Sequence, residues 1–177
     1  MQQTKDSFYM ALLERMVLLN PEHTITLQGT TRPAIVVAEN ELVVPVTPAA
    51  DAFYLEWGTA QSVQRQTGDR PLLEMECNVS YHTFGTVQSG VDRGRRLAAL
   101  DMELLNICRP MFATKRDYSQ SPSVDLGTSI FWSDPVFGRV TGSEAPKKEG
   151  LPRGNEGVRL ERNVSLKVFF FPEVDLI

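Results

Sequence analysis

Apolar and polar residues alternate longest over residues 72–84. Leu73, Met75, Cys77, Val79, Tyr81 and Thr83 fall on odd positions there, and Glu74, Glu76, Asn78, Ser80 and His82 on even ones. A period of two predicts a β-strand with one buried face and one that meets solvent or a partner. A short Gly-containing link leads to residues 92–108, where Leu97, Leu100, Leu104, Ile107 and Cys108 share one stripe. Arg93, Arg95, Arg96, Asp101, Glu103 and Asn106 lie mostly off that stripe, which predicts an amphipathic helix. Asp92 is placed to cap it and to favour its positive end. Pro110 closes it.

The same reading gives the other elements. Phe8, Leu12, Met16 and Leu19 recur at helical spacing over residues 4–19, with Asp6 or Ser7 as cap and Asn20-Pro21 as the stop. A strand over residues 23–27 and a turn at Gly29 follow. Ile35, Val36 and Val37 then face Leu42, Val43 and Val44 across Asn40-Glu41, predicting a hairpin. Residues 45–51 read as a Pro-rich loop. Residues 53–58 read as a short strand, paired antiparallel with residues 72–84 through a polar connection that turns at Gly68-Asp69. Residues 112–127 read as a polar, turn-rich excursion. Residues 128–132 and 136–141 read as one strand broken at Asp134-Pro135, where proline removes a ladder donor.

Residues 142–157 combine glycines, prolines and charges and are expected to be a flexible loop. The last strand, residues 158–171, puts Leu160, Val164, Leu166, Val168 and Phe170 on one face, with Arg162 as an exception among them. Phe169 and Phe171 fall on the opposite face. A strand apolar on both faces needs cover on the second one, from its own N-terminal helix or from a neighbouring subunit. The order of elements predicts one α+β domain over residues 1–177, a mostly antiparallel sheet with helices packed on one face.

Charge narrows the function. A net charge of −4 opposes general affinity for nucleic acid, which needs a surplus of Lys and Arg on one face. Cys77 and Cys108 sit at periodic core positions and read as buried thiols. No secretory signal is recognisable and no apolar run is long enough to span a bilayer, so a soluble protein of a reducing cytoplasm is expected.

Candidate chemistry is sparse. His23 and His82 stand 59 residues apart with no ligand cluster around either, and both read as structural or surface residues. Ser89 and Ser143 lack a nucleophile-elbow frame. Gly85, Gly90 and Gly94 match neither the dinucleotide fingerprint nor the phosphate loop, and read as a linker into the helix. Glu74 and Glu76 share a strand face roughly 7 Å apart. They would suit acid–base work only in a cleft that raised one pKa, and a solvated or subunit-facing surface is the simpler reading. Arg93, Arg95 and Arg96 cluster where the helix dipole disfavours cations, so they are read as solvated arginines or as partners of carboxylates in another subunit. No catalytic residue, cofactor site or metal site is expected.

Five stretches together resemble the small tail terminator (tail completion) proteins of long-tailed bacteriophages and related tail-like particles. They are FYMALLERMVLL, LLEMECNVSYHTFG, DRGRRLAALDMELLNIC, DYSQSPSVDLGTSIFWSDP and VRLERNVSLKVFFFPEVD, about half of the chain. The resemblance implies a structural virion protein and no enzyme: a hexameric ring that caps the tail tube, ends its polymerisation and offers a docking face to the head and neck. It implies a tail tube protein and a neck or head-completion protein as partners, with a virion location after assembly in the host cytoplasm. DNA would pass through the ring without specific binding; six subunits of −4 each would repel phosphate rather than grip it.

Arg93, Arg95, Arg96, Phe169 and Phe171 are the candidate subunit-interface residues, and Lys147, Lys148 and Arg153 the candidates for a loop ordered by a partner. The longer loops near residues 45–51 and 112–127 depart from the smallest members. A neck or head–tail joining protein is the alternative of the same class. A small hydrolase using Glu74, Glu76 or His82 is the alternative of another.

Overall fold

A computed structural model describes residues 1–38, 48–63, 71–85, 91–109, 111–143 and 159–172. In chain order the elements are α1 (Gln2–Leu19), β1 (Thr24–Leu27), β2 (Thr30–Pro33), β3 (Ile35–Val37), β4 (Phe53–Ser62), β5 (Leu73–Thr83) and α2 (Asp92–Ile107). They continue with β6 (Phe112–Asp117), β7 (Val124–Trp132), β8 (Val136–Phe137), β9 (Thr141–Ser143) and β10 (Arg159–Phe170). The fold is α+β: among the described residues, the helices α1 and α2 and one large, mostly antiparallel, curled sheet.

The sheet runs β3-β4-β5-β10-β7-β6, and β8 and β9 also pair with β10. β5 and β10 form its spine, in register from Leu160 opposite Thr83 to Phe170 opposite Leu73. The other edge of β10 is met in succession by β9, β8 and β7. The predicted strand broken at Asp134-Pro135 is therefore two pieces, β7 and β8, aligned along one partner.

Both helices cover one sheet face. Thr4, Phe8, Leu12 and Met16 of α1 are buried at four-residue spacing, one above the other along a single line. Phe8 stands edge-on between Trp57 of β4 and Trp132 of β7, with ring centroids 5.6 and 5.1 Å away. From α2, Leu97, Leu100, Leu104 and Ile107 are buried, and Cys108 follows them into the core. Beneath lie Met75, Cys77 and Val79 of β5 and Val164, Leu166 and Val168 of β10, the alternate positions that the period of two selects.

Several expectations change. α1 begins at Gln2 with Met1 at the cap position and no side-chain cap, so Asp6 and Ser7 lie inside the helix. Leu19 is 56% exposed, because the last turn of α1 carries it past the buried line that ends at Met16. The early hairpin is β1–β2, turning through Gln28 and Gly29, both at positive φ. β3 instead pairs with β4, in parallel; residues 42–44, its predicted partner, lie outside the described residues. Residues 112–127 are not an open excursion: β6 and β7 form an antiparallel pair there.

Arg162, the exception on its strand, faces α2. It donates from Nε and Nη2 to Asp101 at 3.2 and 2.6 Å, and from Nη1 to the Gly138 carbonyl at 2.6 Å. The Tyr81 hydroxyl donates to the same carboxylate at 2.5 Å. Burial first, then the bond to Asp101, pushes the Tyr81 phenol upward, which keeps it a neutral donor. One carboxylate on α2 thus ties the helix to both central strands.

Candidate functional site

The sheet face away from the helices is mostly polar, but one corner is aromatic. Phe112 lies opposite Phe131, and Phe131 opposite Phe169, so three rings from β6, β7 and β10 form a row across the sheet. Phe131 and Phe169 stack, with centroids 5.1 Å apart and planes 13° from parallel. Phe112 is 63% exposed, Phe131 39% and Phe171, just beyond β10, 37%. These are four of the chain's nine phenylalanines. The reading of Phe169 and Phe171 as outward residues is matched by this geometry; Phe112 and Phe131 complete the patch, although in sequence Phe131 clusters with Trp132 and Phe137 and Phe112 stands apart. Only strand register, which sequence does not fix, brings them beside Phe169.

The row continues into polar ground. Phe169 is opposite Glu74, whose carboxylate accepts hydrogen bonds from Gln61 Nε2 at 2.7 Å and Lys167 Nζ at 2.9 Å. Those two donors hold Glu74 below its ordinary pKa. Glu76 is exposed. His82 sits six residues along the same strand, roughly 20 Å from Glu76. The structure does not bring the three together.

β6 is the outermost strand on this side, yet α1 occupies its free edge. Ser7 Oγ takes the Arg116 N–H at 2.9 Å, and Arg15 Nη2 donates to the Phe112 carbonyl at 3.2 Å. Arg15 Nη1 also donates to the Ile107 carbonyl at the end of α2. Backbone groups at both ends of β6, those of Arg116 and the Phe112 carbonyl, which would otherwise template another strand, are engaged.

The arginines of α2 do not act as one cluster. Arg96 pairs with Asp51 of the same chain at 3.2 Å. The backbone of Arg93 abuts Gly85, where an added Cβ would come within 2.5 Å of Arg93 Cγ; φ there is +62°. Arg95 is exposed. Gly90, Lys147, Lys148 and Arg153 lie outside the described residues.

A polar cleft of about 400 Å³ lies elsewhere, lined by Asn20, Glu22, His23, Thr24, Asp51 and Arg96 among others. His23 sits in its wall with a side chain only 7% exposed. Its Nδ1 is 2.9 Å from both Glu103 oxygens, and its Nε2 is hydrogen-bonded to the Asp51 carbonyl. Burial lowers the pKa of this imidazole, but the bonds to Glu103 and to the Asp51 carbonyl outweigh it, and the net shift is upward despite nearby Arg96. His82 behaves oppositely: burial first, then the charge of Arg159, lowers its pKa against Glu161 and Asp51.

Both cysteines are free and buried, and burial pushes the Cys108 thiol up to about 12 and that of Cys77 higher still. Among the described residues no group of three or more His, Cys, Asp or Glu is placed to hold a metal, and no helix is long and apolar enough to cross a membrane. No protein-family model matches the chain, and no curated protein matches it in sequence.

Proposed function

We propose that this chain is a structural virion protein, a tail terminator that assembles as a ring on the tail tube of a long-tailed phage or tail-like particle. In that role it ends tube polymerisation and offers the docking face for the neck. The observation that carries the reading is the aromatic corner of the helix-free face. Apolar patches of that kind, rimmed by polar residues, mark contact surfaces on soluble domains, and Phe-rich centres rimmed by charge are typical of protein interfaces. The occupant proposed is a second copy of this chain, joined head to tail as a closed ring requires. With the β6 edge engaged by Ser7 and Arg15, the contact is made by ring faces rather than by strand addition.

The experiment has two arms. Light scattering of the purified protein is expected to give a mass several times 19.8 kDa, and Phe112→Ser with Phe131→Ser to return it to the monomer value. Added to polymerising tail tube protein, the wild type is expected to shorten the tubes and the double variant to leave their length unchanged. A monomer at all concentrations with no effect on tube length would defeat the proposal. Binding to head-side components alone would move the chain to the neck.

A further inference from the structure

We infer that His23 is a protonation-dependent clasp that holds the segment 48–52 against α2 and the α1–β1 connection. The geometry needs two donors on one imidazole. Nδ1 faces the Glu103 carboxylate and Nε2 faces the Asp51 carbonyl, and neither an ionised carboxylate nor a carbonyl can donate. A neutral imidazole carries one N–H, so only the imidazolium satisfies both partners.

The groups around the ring come from every side. Glu103 and Arg96 project from α2, Asp51 from the segment 48–52, and Asn20 and Glu22 from the connection that carries His23. The Phe53 ring of β4 stands edge-on to the imidazole, its centroid 5.9 Å away. Asn20 Nδ2 donates to Glu103 Oε1 at 3.1 Å, which fixes that carboxylate in place.

Loss of the proton does not loosen both sides equally. A charged acceptor binds the remaining N–H more strongly than a neutral carbonyl does, so the proton stays on Nδ1 beside Glu103. The Nε2 lone pair is then turned on the Asp51 carbonyl oxygen, lone pair against lone pair. Asp51 is the residue that yields. It already sits at φ +60°, where a non-glycine residue needs its surroundings to hold it. Its own N–H donates to the His82 carbonyl at 2.8 Å, and the neighbouring Ala49 N–H to the Tyr54 hydroxyl at 2.6 Å. Opening the clasp therefore frees the end of β5 and the start of β4 together.

The test uses the whole, wild-type protein in whatever assembly state it adopts. Deuterium exchange at the imidazole C2 position, read by mass spectrometry against pH, gives a titration midpoint for each of the two histidines. Backbone amide exchange of the peptide containing Asp51 and Phe53, divided at each pH by the unstructured-chain rate, gives its protection. The expected result is a His23 midpoint above 6.5 and a loss of protection that follows the same midpoint. Arg96→Gln is expected to move that midpoint further up, since it removes a repelling cation. His23→Gln is expected to abolish the step in protection. A His23 midpoint at or below 6.5, or protection that stays level through its titration, would overturn the clasp. The wild-type curves decide this alone, even if a variant fails to fold.

Discussion

The two faces of the sheet are made by the same strands, yet they do different work. On the covered face, alternate residues of β5 and β10 meet α1 and α2 and are close to fully buried, and the charged Arg162 of β10 is matched by Asp101 and Tyr81. On the open face, charge is left at the surface as single pairs such as Lys167 with Glu74, and the aromatic rings are only half covered. Burial of apolar area stabilises a monomer in proportion to the area removed from water. Rings left partly exposed retain area that a partner can still remove from water. The covered face thus holds most of the buried apolar area of the fold, and the open face keeps the area that the proposed assembly would bury.

Truncating the covered side should have the largest effect. Phe170→Ala removes a fully buried ring from the end of β10 and is expected to cost roughly 3–5 kcal/mol. Denaturant unfolding would measure it. A loss no greater than that of Phe131→Ala would erase the distinction between the faces, since Phe131 contributes little beyond its stack on Phe169, about 1 kcal/mol.

Asp101→Ala comes next. It strands the Arg162 guanidinium and the Tyr81 hydroxyl together, and breaking a partly buried charge pair from one side costs about 3 kcal/mol. Replacing both charges in Asp101→Leu with Arg162→Met is expected to recover part of that loss, because no uncompensated charge then remains and only the Tyr81 hydroxyl is left without its acceptor. If the double variant is no more stable than Asp101→Ala, the triad specifies more than charge balance.

The thiols probe the covered face without a mutation. Buried and held as neutral thiols, Cys77 and Cys108 are expected to resist iodoacetamide at pH 8 in the native protein and to react fully in denaturant. Labelling of native Cys108 at the rate of a free thiol would place the end of α2 on the surface.

The covered face was legible in the sequence because burial imposes period. The odd residues of β5, the stripe of α2 and the even residues of β10 all follow from spacing alone. β6 was missed because Phe-Ala-Thr-Lys-Arg-Asp shows no clean alternation: Lys115 is buried and Phe112 exposed, with a register shift between Thr114 and Arg116. The partnership of Arg162 with Asp101 spans 61 positions, and that of His23 with Glu103 spans 80. Spacing along the chain carries no trace of either. The aromatic corner was half visible, since two of its rings adjoin Phe170 in sequence and two arrive only through strand register.

The smallest effect concerns His82, which breaks the rule of its own face. Its even position on β5 predicts exposure, but it is only 6% exposed, and Nε2 is buried without a hydrogen-bond partner among the described residues. Such a ring is best accommodated neutral, and its pKa is accordingly lowered from 6.5. Above pH 6.5 the ring is neutral folded or unfolded, and its full contribution to stability is present. As pH falls from 6.5 through the lowered folded value, the unfolded chain takes up the proton first, and that contribution is lost. His23 acts with the opposite sign, stabilising below 6.5 and releasing its contribution as pH rises through its raised folded value. The stability difference between wild type and His82→Gln isolates the first term, because His23 and the carboxylates remain in both proteins. That difference is expected to be constant above pH 6.5 and to shrink as pH falls below it. A difference that stays level from pH 7.5 to pH 5 would mean that His82 is solvated like the rest of the open face, and the contrast between the faces would then hold without exception.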